Sequence, residues 1–460
     1  MMRLLVFPKQ GNQMTQKHVI NSQLICADYK QEYPMLERGE GIYLYDTDGK
    51  EYIDACGCTA VVTTLGHGNE EVALALYEQT KKLSVHPTHL FYNQELEAYL
   101  KNLCDFAPIG FNHAWTISGG TEAVENSIKL AYQYHRSKGN RKTKVLARWG
   151  SYHGNSLTIL DVGGMKGRRD YYTDLMVGHL HASPCFPYRK PEEMTLKEYE
   201  DSLITEFEKI ISENKDDVMA FLAEPLVGAA LGACAPTENY FKRISEICKR
   251  EDILIIADEV MTGFGRTGKN FACEHFGEHA DILACAKGIS GGYFPLGAVI
   301  AHDRVLGPIH ESEQPFFSGQ TYSCTPQAAA VGNKVLEIIK RDNLVENSKV
   351  VGSYLKEKFI SLAEEFDVIG DIRGLGLFLS LEFVKDKKTK EVIRPELNFS
   401  KLLEKICMTN GLITYGCRGT VELSKGDHML FAPPLILTTD QADIIIDKLK
   451  TSLLEAIKEI

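Results

Sequence analysis

Three ionisable residues each close a short apolar run. Lys287 follows Ile282-Leu283-Ala284-Cys285-Ala286, Asp258 follows Ile253-Leu254-Ile255-Ile256-Ala257, and Glu224 follows the run from Val218 to Ala223. Runs of this length and apolarity read as buried strands. Parallel strands that end together gather their last residues along one edge, where open α/β sheets take their ligands. Taken singly, each of the three is more often a strand end meeting water. Together they propose an amine and two carboxylates in one crevice, where each would shift the pKa of the others, as catalytic sites do.

Two further stretches supply complementary chemistry. Ser118-Gly119-Gly120-Thr121 precedes an amphipathic helical pattern. Glycines allow close backbone approach, and a helix N-terminus offers free N–H groups and a positive dipole end, so the stretch could cradle a phosphate. An ordinary helix capped by Ser or Thr reads the same way. Tyr152-His153-Gly154 follows the short strand pattern "KVLARW" and would stand an aromatic ring at the same edge, where it could stack on a flat heterocycle. An amine, an acid, a phosphate cradle and an aromatic platform together suit pyridoxal phosphate, which needs a lysine for its imine and an acid beside its ring nitrogen. His153 reads equally as a hydrogen-bonded structural residue.

The rival motif is "GFGRTG", Gly263 to Gly268, a literal G-x-G-x-x-G that by itself proposes a nicotinamide-dependent dehydrogenase. That fingerprint should follow a strand directly, open a helix and be answered by an acidic residue about 20 positions on. Here Asp258 to Thr262 intervenes and "KNFACEHFG" follows, so the dehydrogenase is a remote alternative.

The elements that must position these residues alternate. "GIYLYDTDGKEYID" reads as a hairpin turning at Asp48-Gly49. "EAVENSIKLAYQYH" places Val124, Ile128 and Ala131 on one helical face. "EEMTLKEYEDSLITEFEKIISEN" and "ENYFKRISEICKRED" are further helical patterns, set between the strand patterns already named. Strands alternating with helices imply an α/β fold, a mainly parallel central sheet with helices on both faces. A long helix through "AAAVGNKVLEIIKRDNL" opens a C-terminal mixture of helices and strands, with a charged turn at "KDKKTKE". The expected organisation is an N-terminal segment over 1–75 that joins a smaller α+β domain, a large cofactor-binding domain over 76–335, and a C-terminal small domain over 336–460. The glycines after Lys287 are expected to leave room for a flat cofactor and its substrate.

Bulk properties agree with a globular enzyme of this kind. The chain has 460 residues, 44% hydrophobic and 25% charged, enough for a large core. A net charge of -11 argues against a nucleic-acid backbone as the main partner. The 12 cysteines include no C-x-x-C pair, and no metal site is expected. Cys104, Cys248, Cys273 and Cys285 sit among apolar residues and read as reduced core thiols. The apolar patch Leu4 to Phe7 is too short for a signal peptide, and no segment offers the roughly 20 apolar residues of a membrane span. A cytoplasmic protein is expected.

The order and spacing of these motifs resemble the class III, or omega, aminotransferases of the fold type I pyridoxal-phosphate enzymes. The resemblance runs from "YLYDTDGKEYIDACG" and "LGHGNEEV" through "SGGTEAVENSIKLA", "SYHGNS", "AEPLVGA", "IIADEVMTGFGRTG", "AKGISGGYFPLGAV" and "SGQTYSCTPQAAA" to "GDHMLFAPPLILT". It implies a transfer of an amino group from a primary, omega-type amine or amino acid to a 2-oxo acid such as pyruvate or 2-oxoglutarate. The same family includes epimerases, a mutase and decarboxylases, which stay open as alternatives. The resemblance makes Lys287 the lysine that binds the cofactor and carries the proton, with Asp258 the partner of the ring nitrogen. It puts Val260 and Tyr152 on the two ring faces, Gly120 and Thr121 at the phosphate, and Glu224 near the ring hydroxyl. Thr321 would reach the phosphate of a neighbouring subunit, which makes the functional unit a homodimer with shared sites, or a tetramer. Val85 to Asn93 and Cys56 to Val62 should line the entrance and small pocket, with Cys58 where a glycine is common. Many relatives carry a carboxylate-binding arginine in the C-terminal segment. Here Tyr415 occupies its usual register and Arg418 lies nearby, so these two are the substrate candidates.

Overall fold

The computed structural model describes residues 33–460 apart from 278, together with residue 25. The Leu4–Phe7 patch lies outside the described residues. At the centre is a seven-stranded sheet. Leu180–Ala182, Lys144–Arg148, Val218–Ala223, Leu254–Asp258 and Ile282–Cys285 run parallel in that spatial order. Gly297–Ala301 then pairs antiparallel with both Ile282–Cys285 and the edge strand His113–Ile117. The mainly parallel sheet expected from sequence is present, with one reversed strand near an edge.

The central strands are buried on both faces, and period-two alternation decides which helices each side chain meets. Val145, Ala147, Leu222, Ile256 and Ala284 pack with Val124, Ile128 and Ala131 of the Gly120–Ser137 helix. Leu146, Phe221, Ala223 and Ile255 point the other way, onto the Leu196–Glu213 and Tyr240–Arg250 helices. The first of those helices starts four residues later than the apolar pattern alone suggests. Thr195 caps it and Glu198 bonds back to the cap, a reciprocal arrangement that satisfies two orphan N–H groups.

Two four-stranded sheets stand beside the central one. In the first, the hairpin of Tyr43–Asp46 with Glu51–Asp54 forms as expected. Its turn is organised by Asp46, whose carboxylate accepts from the Asp48 and Lys50 N–H groups at 3.0 and 2.9 Å. Leu412–Ile413 adds in parallel to Glu51–Asp54, so distant parts of the chain share one sheet. The second is the antiparallel sheet Ile369–Leu375, Phe378–Phe383, Lys425–Phe431 and Tyr415–Val421. The charged turn at 385–391 closes with Asp386 accepting from the Lys388 and Thr389 N–H groups. Among the described residues no helix is long and apolar enough to cross a membrane.

"GFGRTG" opens no dinucleotide-type helix. It joins the central unit to the terminal segments through Arg266, which is 3% exposed. Its guanidinium donates to the carbonyls of Thr63, Leu377 and Pro433. Burial pushes its pKa down to about 10. Gly265 and Gly268 have φ of +90° and +82°, which glycine tolerates without a Cβ penalty.

Candidate active site

The three ionisable strand ends come together. Ala223 pairs with Ala257, and Asp258 with Ala284, so Glu224, Asp258 and Lys287 end three adjacent strands. Adjacent strands lie about 4.8 Å apart, which sets the scale of the crevice. Burial pushes the Lys287 amine below its ordinary pKa, while the nearby charges of Asp258 and Glu224 oppose that shift. Lys287 has φ +51°, in the left-handed region. A non-glycine residue there costs roughly 1–2 kcal/mol. The strand before it and the bond from the Thr64 hydroxyl to the Gly288 carbonyl (3.0 Å) hold the conformation.

Each carboxylate is held by fixed donors. Asp258 Oδ2 lies 2.7 Å from His153 Nδ1, and Oδ1 accepts from the Val260 N–H at 3.0 Å. His153 thus has a defined partner at the site, while its Nε2 is buried without one. Glu224 accepts from the Tyr152 N–H at 3.0 Å and the Gly228 N–H at 2.7 Å, and burial pushes its pKa up. Glu224 therefore also fixes the backbone of the aromatic residue, which sequence alone does not reveal.

The Ser118–Thr121 stretch is not an ordinary capped start. The N-cap of the Gly120–Ser137 helix is Gly119, no side chain caps it, and open space lies where a Gly119 side chain would stand. A Cβ on Gly120 would come within 2.9 Å of Val260 Cγ1, so Gly120 and Val260 are in close contact. Thr121 Oγ1 accepts from the Asn155 N–H at 3.2 Å, which ties the helix start to the Tyr152-His153-Gly154 turn. Gly120, Thr121, Tyr152, Glu224, Asp258 and Val260 are thus linked by direct contacts or sheet neighbours, with Lys287 beside the two carboxylates.

The glycines after Lys287 lie against another part of the chain. A Cβ on Gly292 would stand 3.0 Å from Val62 Cγ1, and one on Gly291 3.7 Å from Thr64 Cβ. They admit the 62–65 segment of the chain itself.

Thr321 is not among the residues linked at the strand ends. It is exposed and lines a depression of about 440 Å³ with Val85–His89, Gln320 and Ser323. Val85–His89 and Thr321 thus line one depression, which none of the strand-end residues lines. Cys56 lies with Val61, Met261, Tyr415 and Cys417 in an apolar cluster and is close enough to influence the Lys287 amine. Cys58 turns to His67, its sulfur 4.0 Å from Nε2, on a backbone with φ +55° that would suit a glycine. Asp54, Cys58 and His67 gather potential ligand atoms. The Asp54 carboxylate is already engaged by the Cys56 and Cys58 N–H groups and the Thr63 hydroxyl, which gives it a structural task.

Of the two substrate candidates, the structure places Tyr415 with the apolar cluster of Cys56 and Met261 and Arg418 on the opposite face of the same strand. Along Tyr415–Val421, Tyr415 and Cys417 share a face. Gly416 and Arg418 share the other, where a Gly416 Cβ would strike the Ser400 carbonyl oxygen at 2.4 Å. Arg418 Nε lies 3.7 Å from Asp427, on the side of the Phe399–Thr409 helix. Sequence reasoning missed Arg168, whose guanidinium lies 4.8 Å from the Tyr152 ring centroid. In "MKGRRDYY" it reads as one of several solvated charges.

A parallel sheet that gathers an amine and two carboxylates beside a glycine-opened helix defines an α/β enzyme of the fold type I transferases. The family model of the class III aminotransferases matches residues 26–453, and the chain belongs to that family. It is an aminotransferase, moving an amino group from an amine donor to an oxo-acid acceptor. It is 37% identical to an uncharacterised aminotransferase of Schizosaccharomyces pombe, covering 91% of this chain and 92% of that one. It is 32% identical to the putrescine–pyruvate aminotransferase of Pseudomonas aeruginosa, covering 91% of each. The omega transaminase of Pseudomonas jessenii, solved in complex with PMP, superposes with a TM-score of 0.87 at 28% identity, covering 93% of this chain and 94% of that one.

Proposed function

We propose that this aminotransferase uses pyridoxal phosphate to move amino groups from primary, omega-type amines to a 2-oxo acid such as pyruvate or 2-oxoglutarate. The observation that carries this reading is the Lys287 amine, held by a strained turn beside Asp258 and Glu224, facing an uncapped helix start. The residues present fit the cofactor: a nucleophilic amine, an acid, a helix start without a side-chain cap, and an aromatic ring. The relative named for putrescine and pyruvate supports a terminal amine as donor and an oxo acid as acceptor.

When bound, the cofactor supplies the electron sink for the substrate carbon that loses its proton. The chain's residues do the rest. Lys287 Nζ takes that proton and returns it, a task that needs a neutral amine, and burial lowers its pKa in that direction. Asp258 would keep the ring nitrogen protonated, its own position set by His153 and the Val260 N–H. Gly120 and Thr121 would hold the phosphate, Val260 and Tyr152 the ring faces, and Glu224 the side of the ring hydroxyl. Thr321 would serve the site of a second copy. The exposed Leu90, Phe91, Tyr92 and Tyr322, which neighbour in sequence the residues lining its depression, support a homodimeric interface, because exposed apolar patches mark contact surfaces. The division into 1–75, 76–335 and 336–460 is proposed as well, supported by the sheet that Leu412–Ile413 shares with the N-terminal hairpin. A cytoplasmic location is part of the same reading.

The test begins with the purified protein and added pyridoxal phosphate, which should give a yellow imine absorbance that omega-amines bleach. Lys287→Ala should keep the fold and lose turnover by about 100- to 10,000-fold. Absence of the absorbance would refute the cofactor assignment. Bleaching by alpha-amino acids alone, with no oxo-acid product, would move the enzyme to the epimerases or decarboxylases.

A further inference from the structure

We propose that Arg168 binds the carboxylate of the oxo-acid acceptor and is the specificity-determining cation of this site. This rests on the aminotransferase reading of the strand-end crevice given above. An enzyme that takes an amine in one half-reaction and an oxo acid in the other needs a cation that meets the acid near the reacting carbon. A planar guanidinium suits a carboxylate because it can donate two parallel hydrogen bonds.

Arg168 is placed for that task. Its guanidinium stands over Tyr152, whose backbone N–H is bonded to Glu224. It is close enough to the Lys287 amine to act on it as a positive charge, and it is also beside the Tyr415 phenol. One side chain thus stands over Tyr152 and within electrostatic reach of Lys287 and Tyr415. It is exposed on its open side, and among the described residues no carboxylate pairs with it.

The neighbouring cations are differently engaged. Arg169 is bonded to the carbonyls of Asp161 and Gly163 at 2.9 and 2.7 Å, and its guanidinium lies 5.1 Å from the Trp149 ring. Lys401, 5.6 Å from the Tyr415 ring, is paired with Glu404 at 2.6 Å. Arg418 lies on the far face of its strand with Asp427. A strand cannot present residues 415 and 418 to one side without losing its register, and the pairing is regular from Tyr415 to Arg418. Of these four cations, Arg168 alone has no carboxylate partner among the described residues. The aromatic face of Tyr152 would hold it without neutralising it, as rings do for guanidinium groups.

The test uses the holoenzyme as wild type, Arg168→Gln, Arg168→Lys and Arg418→Gln. The two half-reactions are followed separately by absorbance, with propylamine as donor and pyruvate as acceptor. Propionate, an unreactive carboxylate, serves as a competitor against pyruvate. Arg168→Gln should raise the KM for pyruvate and the inhibition constant of propionate by about tenfold or more, the loss of one charge-assisted pair. Its kcat at saturating pyruvate and its reaction with propylamine should stay within about twofold, and Arg168→Lys should recover part of the loss. Arg418→Gln should leave the pyruvate KM unchanged. Unchanged pyruvate and propionate constants in Arg168→Gln, or an equal loss in both half-reactions, overturns the proposal while the aminotransferase reading stands. A wild-type protein that gives neither half-reaction overturns that reading and the proposal with it.

Discussion

Asp258 shows how much a single residue depends on what holds it. Its two oxygens have separate partners, the His153 ring and the Val260 N–H, so neither the position nor the orientation of the carboxylate is left to solvent. An asparagine could keep the bond from Val260 but would carry no charge. Asp258→Asn should therefore fold normally and lower the rates of both half-reactions by about 100- to 10,000-fold, measured by absorbance with circular dichroism as the folding control. Lys287 shows the converse. Its left-handed backbone is unfavourable by itself and persists because the strand and the Thr64 bond over-determine it, as strain in a folded chain requires.

At the level of elements, the start of the Gly120–Ser137 helix is built by two segments that are distant in sequence. Thr121 is placed by the Tyr152-His153-Gly154 turn, and Gly154 has φ +145°. A Cβ there would fall 2.6 Å from Thr121 Oγ1 and 3.0 Å from Ile159 Cγ2. Gly154→Ala should displace the threonine from the helix start. Affinity for pyridoxal phosphate should fall by roughly 10- to 100-fold in a spectroscopic titration. Overpacking should cost about 1–3 kcal/mol of stability in denaturant unfolding. A glycine in this turn would thus act through Thr121 on the start of the Gly120–Ser137 helix.

The whole molecule is joined where the rival motif lies. Arg266 brings Thr63, Leu377 and Pro433, from three separated parts of the chain, onto one buried guanidinium. The backbone of the same residue accepts from the Ser348 hydroxyl at 2.9 Å and the Leu377 N–H at 3.1 Å. Arg266→Met would fill similar volume but leave three carbonyls without their donor. Each buried acceptor left unpaired costs about 1–3 kcal/mol. The variant should lose about 3 kcal/mol or more in denaturant unfolding, and limited proteolysis should cut its C-terminal segment sooner than that of the wild type. Unaltered stability and proteolysis would show that the three segments are held by packing alone.

Lys287, Asp258 and Glu224 were legible in the sequence because each follows a run of apolar residues that only a buried strand explains. Parallel strands deliver their last residues to one edge whatever the details of packing. The helix of Val124, Ile128 and Ala131 and the hairpin around Asp46 were legible for the same reason, since periodicity and turn chemistry act over a few residues. What only the tertiary structure decided lies between segments far apart in the chain. The face that Arg418 presents depends on the phase of one strand against the Phe399–Thr409 helix, and the neighbours of Arg168 depend on how the short Lys166–Arg169 helix packs beside Tyr152. The task of "GFGRTG" and the segment that fills the space beside Gly291 and Gly292 were likewise set by long-range packing. Local patterns determine elements and what stands at their ends, whereas contacts between distant residues follow from the packing of the whole chain.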